Sequence, residues 1–272
     1  MVDSSSGITK EEATTMGIEV FPLRFSFDEE EYLDGVDITS EAFYEKLVTS
    51  PVFPKTSLPN LYQLEEQVKK YEEEGYTILI FPLSKEISGS YAAMQALFED
   101  HQNVRIIDGL TTVSGLRFLI AEALRYQDES LDVIVQKLMR LRERIRIIAG
   151  IDTLEYLHRG GRLSKTSSVI GTIIGLKPII GISDGKVVVF SKRRGKKQAM
   201  QYIVDYMMHH LPDEQYPIYG LYSKDKDNYD ALYQLLTDTN LQKRITQVDH
   251  IAPVIGCHIG PGGYGVAYVE NV

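Results

Sequence analysis

The sequence predicts a mixed α/β protein of two domains, and three observations carry that prediction. Short apolar runs alternate with segments whose apolar residues recur at helical spacing, the pattern of strands and helices in turn. Asp184-Gly185 stands between two runs rich in β-branched residues, the signature of a two-residue hairpin. With 272 residues, 43% of them hydrophobic and 25% charged, the chain suffices for one large domain or two ordinary ones, each with a core.

Residues 19–23, 77–83, 104–107 and 145–151 are short apolar runs that fit buried strands of a largely parallel sheet. Leu61, Leu64, Val68 and Tyr71 mark an amphipathic helix, with Ser57 expected as its N-cap and Pro59 in its first turn. Ile134, Leu138, Leu141 and Ile145 mark a second helix. After residue 150 the pattern changes. Helices are expected over 153–159 and 164–175, then the hairpin through Asp184-Gly185, then a long helix over 195–211. A further strand and helix and two final strands complete the chain. The boundary is placed at 148–153, which makes 1–150 an N-terminal α/β domain and 151–272 a C-terminal one.

Composition excludes several classes. A net charge of −9 argues against nucleic acid, which favours a basic face. Positive charge is nevertheless clustered, at Arg159, Arg162 and Lys165 and again at Lys192, Arg193, Arg194, Lys196 and Lys197. Such clusters are either solvated surface or a local anionic contact. The single cysteine, Cys257, permits no intrachain disulfide and fits a reducing cytoplasm. No signal-peptide pattern is read at the start, and the longest apolar stretch falls far short of the ~20 residues of a bilayer span, so stable membrane insertion is not expected.

Two motifs mislead. Gly181-Ile182-Ser183-Asp184-Gly185 matches the nucleophile elbow, but a strand follows it where the elbow requires a helix. Gly260-Pro261-Gly262-Gly263-Tyr264-Gly265 matches the dinucleotide fingerprint, but too little chain follows for a βαβ unit. The six histidines form no HExxH and have no cysteine pair beside them, so neither a metal nor a cofactor is expected.

Three hydroxyl-rich segments remain: Asp3-Ser4-Ser5-Ser6-Gly7, Lys55-Thr56-Ser57-Leu58-Pro59-Asn60, and Ser84 to Tyr91. Each serves as a helix cap or as one wall of an anion site, since exposed N–H groups and hydroxyls do both. In an open α/β sheet such turns converge beyond the carboxyl ends of the strands. His258, beside the glycine-rich 260–263 stretch, is either a hydrogen-bond partner for a carboxylate or phosphate or a residue satisfied by its own backbone. The residues alone leave both choices open.

Taken in order, Asp3-Ser4-Ser5, Thr56-Ser57-Leu58-Pro59, Ile87-Ser88-Gly89-Ser90-Tyr91, Leu157-His158-Arg159-Gly160-Gly161-Arg162-Leu163-Ser164, Lys177-Pro178 and His258-Ile259-Gly260-Pro261-Gly262 resemble the DegV family of bacterial fatty-acid-binding proteins from end to end. The resemblance implies a two-domain fold, an N-terminal Rossmann-like domain with a parallel sheet and a C-terminal α/β domain, with a ligand tunnel between them. It implies a lipid-binding subunit without turnover of its own. That subunit presents a long-chain fatty acid to a separate ATP-dependent fatty acid kinase, which makes acyl phosphate for phospholipid synthesis. Thr56, Ser88 and His258 match the family's carboxylate-binding residues, and Ser57, Gly89 and Ser90 are neighbours of that set. Arg159 and Arg162 match the basic region assigned to kinase docking or phosphoryl transfer. Val169, Gly171, Ile173, Ile174 and Gly175 are expected either to line the acyl sleeve or to form an ordinary packed helix. The chain departs from the family pattern in having only Met1-Val2 ahead of Asp3, Leu58 where glutamine is common, and Asn60 where serine is usual. Two rival readings are a hydrolase using Ser88 or Ser90 with His258, oriented by Asp3, and a carrier of another apolar anion.

Overall fold

The computed structural model describes residues 1–163, 175–237 and 239–271. The helix expected over 164–175, with Ser164, Lys165 and the sleeve residues Val169 to Ile174, therefore lies outside the described residues except for Gly175. That glycine is exposed at the start of a strand.

β1 (Val2–Asp3) runs into a tight 3-10 turn at Ser4–Ser6, and α1 (Lys10–Met16) starts with a capping box between Thr9 and Glu12. β2 (Val20–Phe21), the β3 (Arg24–Phe27) and β4 (Glu30–Leu33) hairpin, α2 (Ser40–Thr49) and β5 (Lys55–Ser57) follow. α3 (Leu61–Glu73), β6 (Ile78–Ile80), α4 (Ser90–Leu97), β7 (Val104–Ile106), α5 (Ser114–Arg125) and α6 (Leu131–Arg142) come next. β1 pairs with β2 and β6 with β7, all parallel, and a parallel bridge from Val2 to Phe81 joins the two pairs. β3 lies between β4 and β5 in a separate antiparallel sheet.

The rest of the chain is built on β8 (Ile145–Gly150), α7 (Glu155–Arg159), β9 (Leu176–Ser183), β10 (Lys186–Arg194), α8 (Lys196–His209), β11 (Ile218–Tyr222), α9 (Asp227–Leu235), β12 (Ile245–His250), α10 (Pro253–Ile259) and β13 (Tyr264–Val269). Its six-stranded sheet has the order β10-β9-β8-β13-β11-β12. The mixed α/β class holds, but this larger sheet is antiparallel except for the β11–β12 pair. The physical reason lies in the connections. The two-residue turn between β9 and β10 permits only an antiparallel pair, and β13 inserts between β8 and β11 running against both. β8 is thus bonded into the same sheet as the strands that follow it in sequence.

The expected hairpin is present. Asp184 and Gly185 both take positive φ, 48° and 76°, the twist that matches two strands joined by two residues. Ser183 pairs with Lys186 at the strand ends, so it sits beside a turn and not on an elbow. A Cβ on Gly185 would lie 2.4 Å from the Ser84 hydroxyl, which places the hairpin tip on the loop after β6.

Both faces of the large sheet are covered. Tyr264, Val266 and Tyr268 of β13 pack with α8 and α9, while Ala267 and Val269 face the opposite core with Leu116 and Leu119 of α5. That is why β13 reads as an unbroken apolar run, buried at every position. The core on the α5 side also contains Val2, Leu83, Ile251 and Val254, so it joins the parallel strands to the large sheet.

One expected cap is corrected. Asn60, not Ser57, caps α3, its side chain accepting the Gln63 N–H at 3.2 Å. Leu58 precedes a proline and so disfavours the helical region, and Ser57 pairs with Arg24 as part of β5. A helix not anticipated, α10, carries His258 in its last turn, with Pro253 at its start.

Candidate functional site

Thr56 projects from β5, whose position is held by register with β3 and by the Arg24 Nε–H, which donates to the Leu58 carbonyl at 2.8 Å. Its hydroxyl meets His258 Nε2 at 3.1 Å. Residues 202 apart in sequence thus share one hydrogen bond. Ser88 stands in the turn after β6, where its Oγ accepts the Ser90 N–H at 3.2 Å and lies 2.9 Å from the Ser90 hydroxyl. Ser88 therefore supports the start of α4, as a capping hydroxyl would, and also lines a cavity.

A cavity of about 200 Å3 is lined by Thr56, Ser57, Ser88, Gly89, Arg162 and His258, together with aliphatic residues including Leu58 and Ile87. Val254, Ile255 and His258 enter it from one face of α10, as i and i+4 spacing requires. A second, apolar cavity of about 70 Å3 adjoins it. Val113, Ile147, Ala149, Ile180 and Leu221 contribute to its wall, and Ile87, Arg162, Ile255 and His258 line both. The imidazole stands where the polar space meets the greasy one.

The ring's electrostatics follow from that position. His258 Nδ1 is buried and has no hydrogen-bond partner among the described residues. Burial, and then the positive Arg162 guanidinium, push the imidazole down to about 4 from its ordinary value of 6.5. The ring is therefore neutral near pH 7. A Cβ on Gly160 would sit 2.2 Å from Nδ1, so a glycine is needed beside the ring.

Arg162 is fixed on the cavity wall by donating from Nε to the Ile87 carbonyl at 3.1 Å and from Nη1 to the Gly160 carbonyl at 2.7 Å. Arg159 is different. Half exposed, it reaches Glu155 at 3.3 Å and stacks its guanidinium 4.2 Å from the Phe53 ring centre, outside the cavity. Ser90 is fully buried beneath Ser88 and does not line the cavity.

Asp3 does not orient His258. Its carboxylate accepts the Ser5 hydroxyl at 2.5 Å and the Ser5 and Leu83 N–H groups at 3.1 and 2.6 Å. Burial raises it to about 6. No serine–histidine–carboxylate relay of the hydrolase kind is assembled among the described residues.

Val113 and the apolar wall from β8 and β9 are not among the site residues the sequence predicts. The i, i+1, i+4 pattern of Val254, Ile255 and His258 after Pro253 was the available signal for α10.

Among the described residues no group of three or more potential ligand side chains is placed to hold a metal, and no helix is long and apolar enough to cross a membrane. A family model for DegV proteins, described as uncharacterised, matches residues 1–271. A DegV domain-containing protein of Clostridium acetobutylicum is 32% identical over 277 aligned positions, covering 100% of this chain and 98% of that one. The solved structure of a fatty acid binding DegV family protein from Streptococcus agalactiae superposes with a TM-score of 0.89 at 29% identity, covering 100% of this chain and 98% of that one. A stearic acid-binding protein from Eubacterium ventriosum superposes with a TM-score of 0.87 at 27% identity, covering 99% and 97%.

Proposed function

The chain belongs to the DegV family, and we propose that it binds a long-chain fatty acid with its carboxylate among Thr56, Ser88 and His258. The observation that carries this reading is the join between the two cavities at His258, polar donors on one side and aliphatic walls on the other. A fatty acid has that same division. Its carboxylate needs donors because an unpaired buried charge is prohibitive, and each buried methylene contributes about 0.8 kcal/mol. The fatty acids bound by the Streptococcus and Eubacterium relatives support the same ligand class.

Cavities of about 200 and 70 Å3 are smaller than the ~300–1,000 Å3 usual for ligand pockets. In this reading the apolar cavity is the carboxyl-proximal end of a tunnel between the two halves. An arriving carboxylate raises the imidazole's proton affinity back toward the ordinary range, and the ring, once protonated, is the stronger donor.

The second half of the reading is presentation of that carboxylate to a separate ATP-dependent kinase in the cytoplasm, giving acyl phosphate. Its support is the family resemblance together with the placement of two arginines. Arg162 faces the carboxylate site, while Arg159 is exposed on α7, where a partner has access to it. In this reading the protein itself performs no turnover.

Mass spectrometry of lipid extracted from the purified protein is expected to show a bound fatty acid. A preparation with no lipid that also takes up no added oleate would defeat the binding reading. Incubation of the loaded protein with a cognate kinase, ATP and magnesium is expected to yield acyl phosphate, and none without the kinase. Acyl phosphate formed by the protein alone would overturn the division of labour.

A further inference from the structure

We propose that Asp34 is the positioning residue that sets His258 against Thr56, by capping α10 from the loop after β4; the inference rests on the fatty-acid reading above. α10 has only seven residues and no side-chain cap from its own flanks. A helix that short has no stable orientation of its own, so its placement is decided by what holds its ends.

Asp34 follows β4 and is 2% exposed. One carboxylate oxygen accepts the Val254 N–H at 3.4 Å, in the first turn of α10, across 220 residues of sequence. The other accepts the Ser4 hydroxyl at 2.6 Å, and Ser4 Oγ in turn accepts the Leu23 N–H at 3.0 Å. The Asp34 N–H donates to the Leu23 carbonyl at 2.9 Å. One buried carboxylate therefore ties the turn after β1, the β4-β3-β5 sheet and α10 together.

Two features connect this clamp to the site. Val254 and His258 are one helical turn apart and line the same cavity, so rotation of α10 at Val254 turns the imidazole with it. Thr56 pairs with Phe25 of β3, and Leu33, the residue before Asp34, pairs with Arg24 of the same strand. The hydroxyl and the imidazole that meet at 3.1 Å are thus referenced to a common strand, one directly and the other through Asp34. Asp34 and Ser4 do not line the cavity, which separates them from Thr56, Ser88 and His258.

The test measures oleate affinity and the His258 ring signals in NMR spectra of the full chain, with and without oleate, for Asp34→Ala, Asp34→Asn and Ser4→Ala. Asp34→Ala is expected to weaken oleate binding about tenfold, the scale of a lost helix cap, and to shift the His258 signals of the ligand-free protein. Asparagine keeps an acceptor for Val254 and gives Ser4 a donor, so Asp34→Asn is expected to hold affinity within about threefold. Parent-like affinity and ring signals in a folded Asp34→Ala protein would overturn the proposal. So would equal losses in the alanine and asparagine variants. If Asp34→Ala does not fold, Ser4→Ala decides: a shifted His258 signal with weaker binding supports the clamp, and an unchanged signal rejects it. Failure of the parent protein to bind oleate would count against the fatty-acid reading alone, because the ring signals of the ligand-free variants test the clamp independently.

Discussion

Asp3 and His258 are two ionisable groups, the first buried and the second half-buried, each beside hydroxyl side chains, and they serve the molecule in opposite ways. Asp3 accepts three hydrogen bonds from Ser5 and Leu83 and is 0% exposed, leaving no room for a ligand. Among the described residues the His258 ring has one hydrogen bond, to Thr56, and an Nδ1 without a partner, and it lines both cavities. The difference lies in what is left unsatisfied. A fully bonded buried polar group stabilises a fold, whereas a partly bonded one at a cavity wall is held ready for something else.

The largest expected difference between the two groups is in stability. Asp3→Ala strands the Leu83 N–H and the Ser5 donors, and is expected to cost about 3 kcal/mol in urea unfolding, with oleate affinity of the folded fraction unchanged. A neutral effect on stability would mean that the Asp3 cluster is not structural.

The pH dependence sharpens it. His258 is depressed to about 4 from 6.5, so its contribution is complete above pH 6.5 and is lost as pH falls toward 4. Relative to a His258→Gln variant, the parent is expected to lose up to about 3 kcal/mol across that window. Asp3 is raised to about 6 from 3.8 and has the reverse sign, its contribution complete below 3.8 and lost as pH rises through 6. Relative to Asp3→Asn, the parent should therefore lose stability with rising pH. Urea titrations of the three proteins between pH 4 and 7 check both signs, and parallel slopes would refute the contrast.

The smallest effect concerns Ser88, which shares its oxygen between the Ser90 N–H and the cavity. Removing one hydroxyl donor to a carboxylate in Ser88→Ala should weaken oleate binding about fivefold to tenfold, with stability lowered by about 1 kcal/mol for the lost turn contact. Calorimetric titration separates the two, and a loss of stability with unchanged affinity would reduce Ser88 to a cap.

Local chemistry was readable where local chemistry decides. Asp184-Gly185 makes the predicted turn because few residue pairs accept two positive φ angles, and the α3 periodicity yields a helix because its stripe faces a core. The Gly181–Gly185 match is followed by a strand where an elbow needs a helix, and the Gly260–Gly265 match runs into β13 without opening a helix. Ser57 was misassigned because its backbone is recruited by β3, a partner invisible in a local window. The arginines of 159–162 form one cluster in sequence, but α7 ends between them, turning Arg162 into the cavity and leaving Arg159 on the surface.

By itself the sequence determined the α/β class, the hairpin, the helices α3, α6, α7 and α8 and the ordered set of motifs, because turn preference and apolar periodicity are properties of adjacent residues. The tertiary structure alone decided that β13 separates β8 from β11, that Asp3 is bonded away from the site, and that Thr56 meets His258 at 3.1 Å. Those outcomes depend on hydrogen bonds and packing between segments tens to hundreds of residues apart, and no local preference specifies which of them will meet.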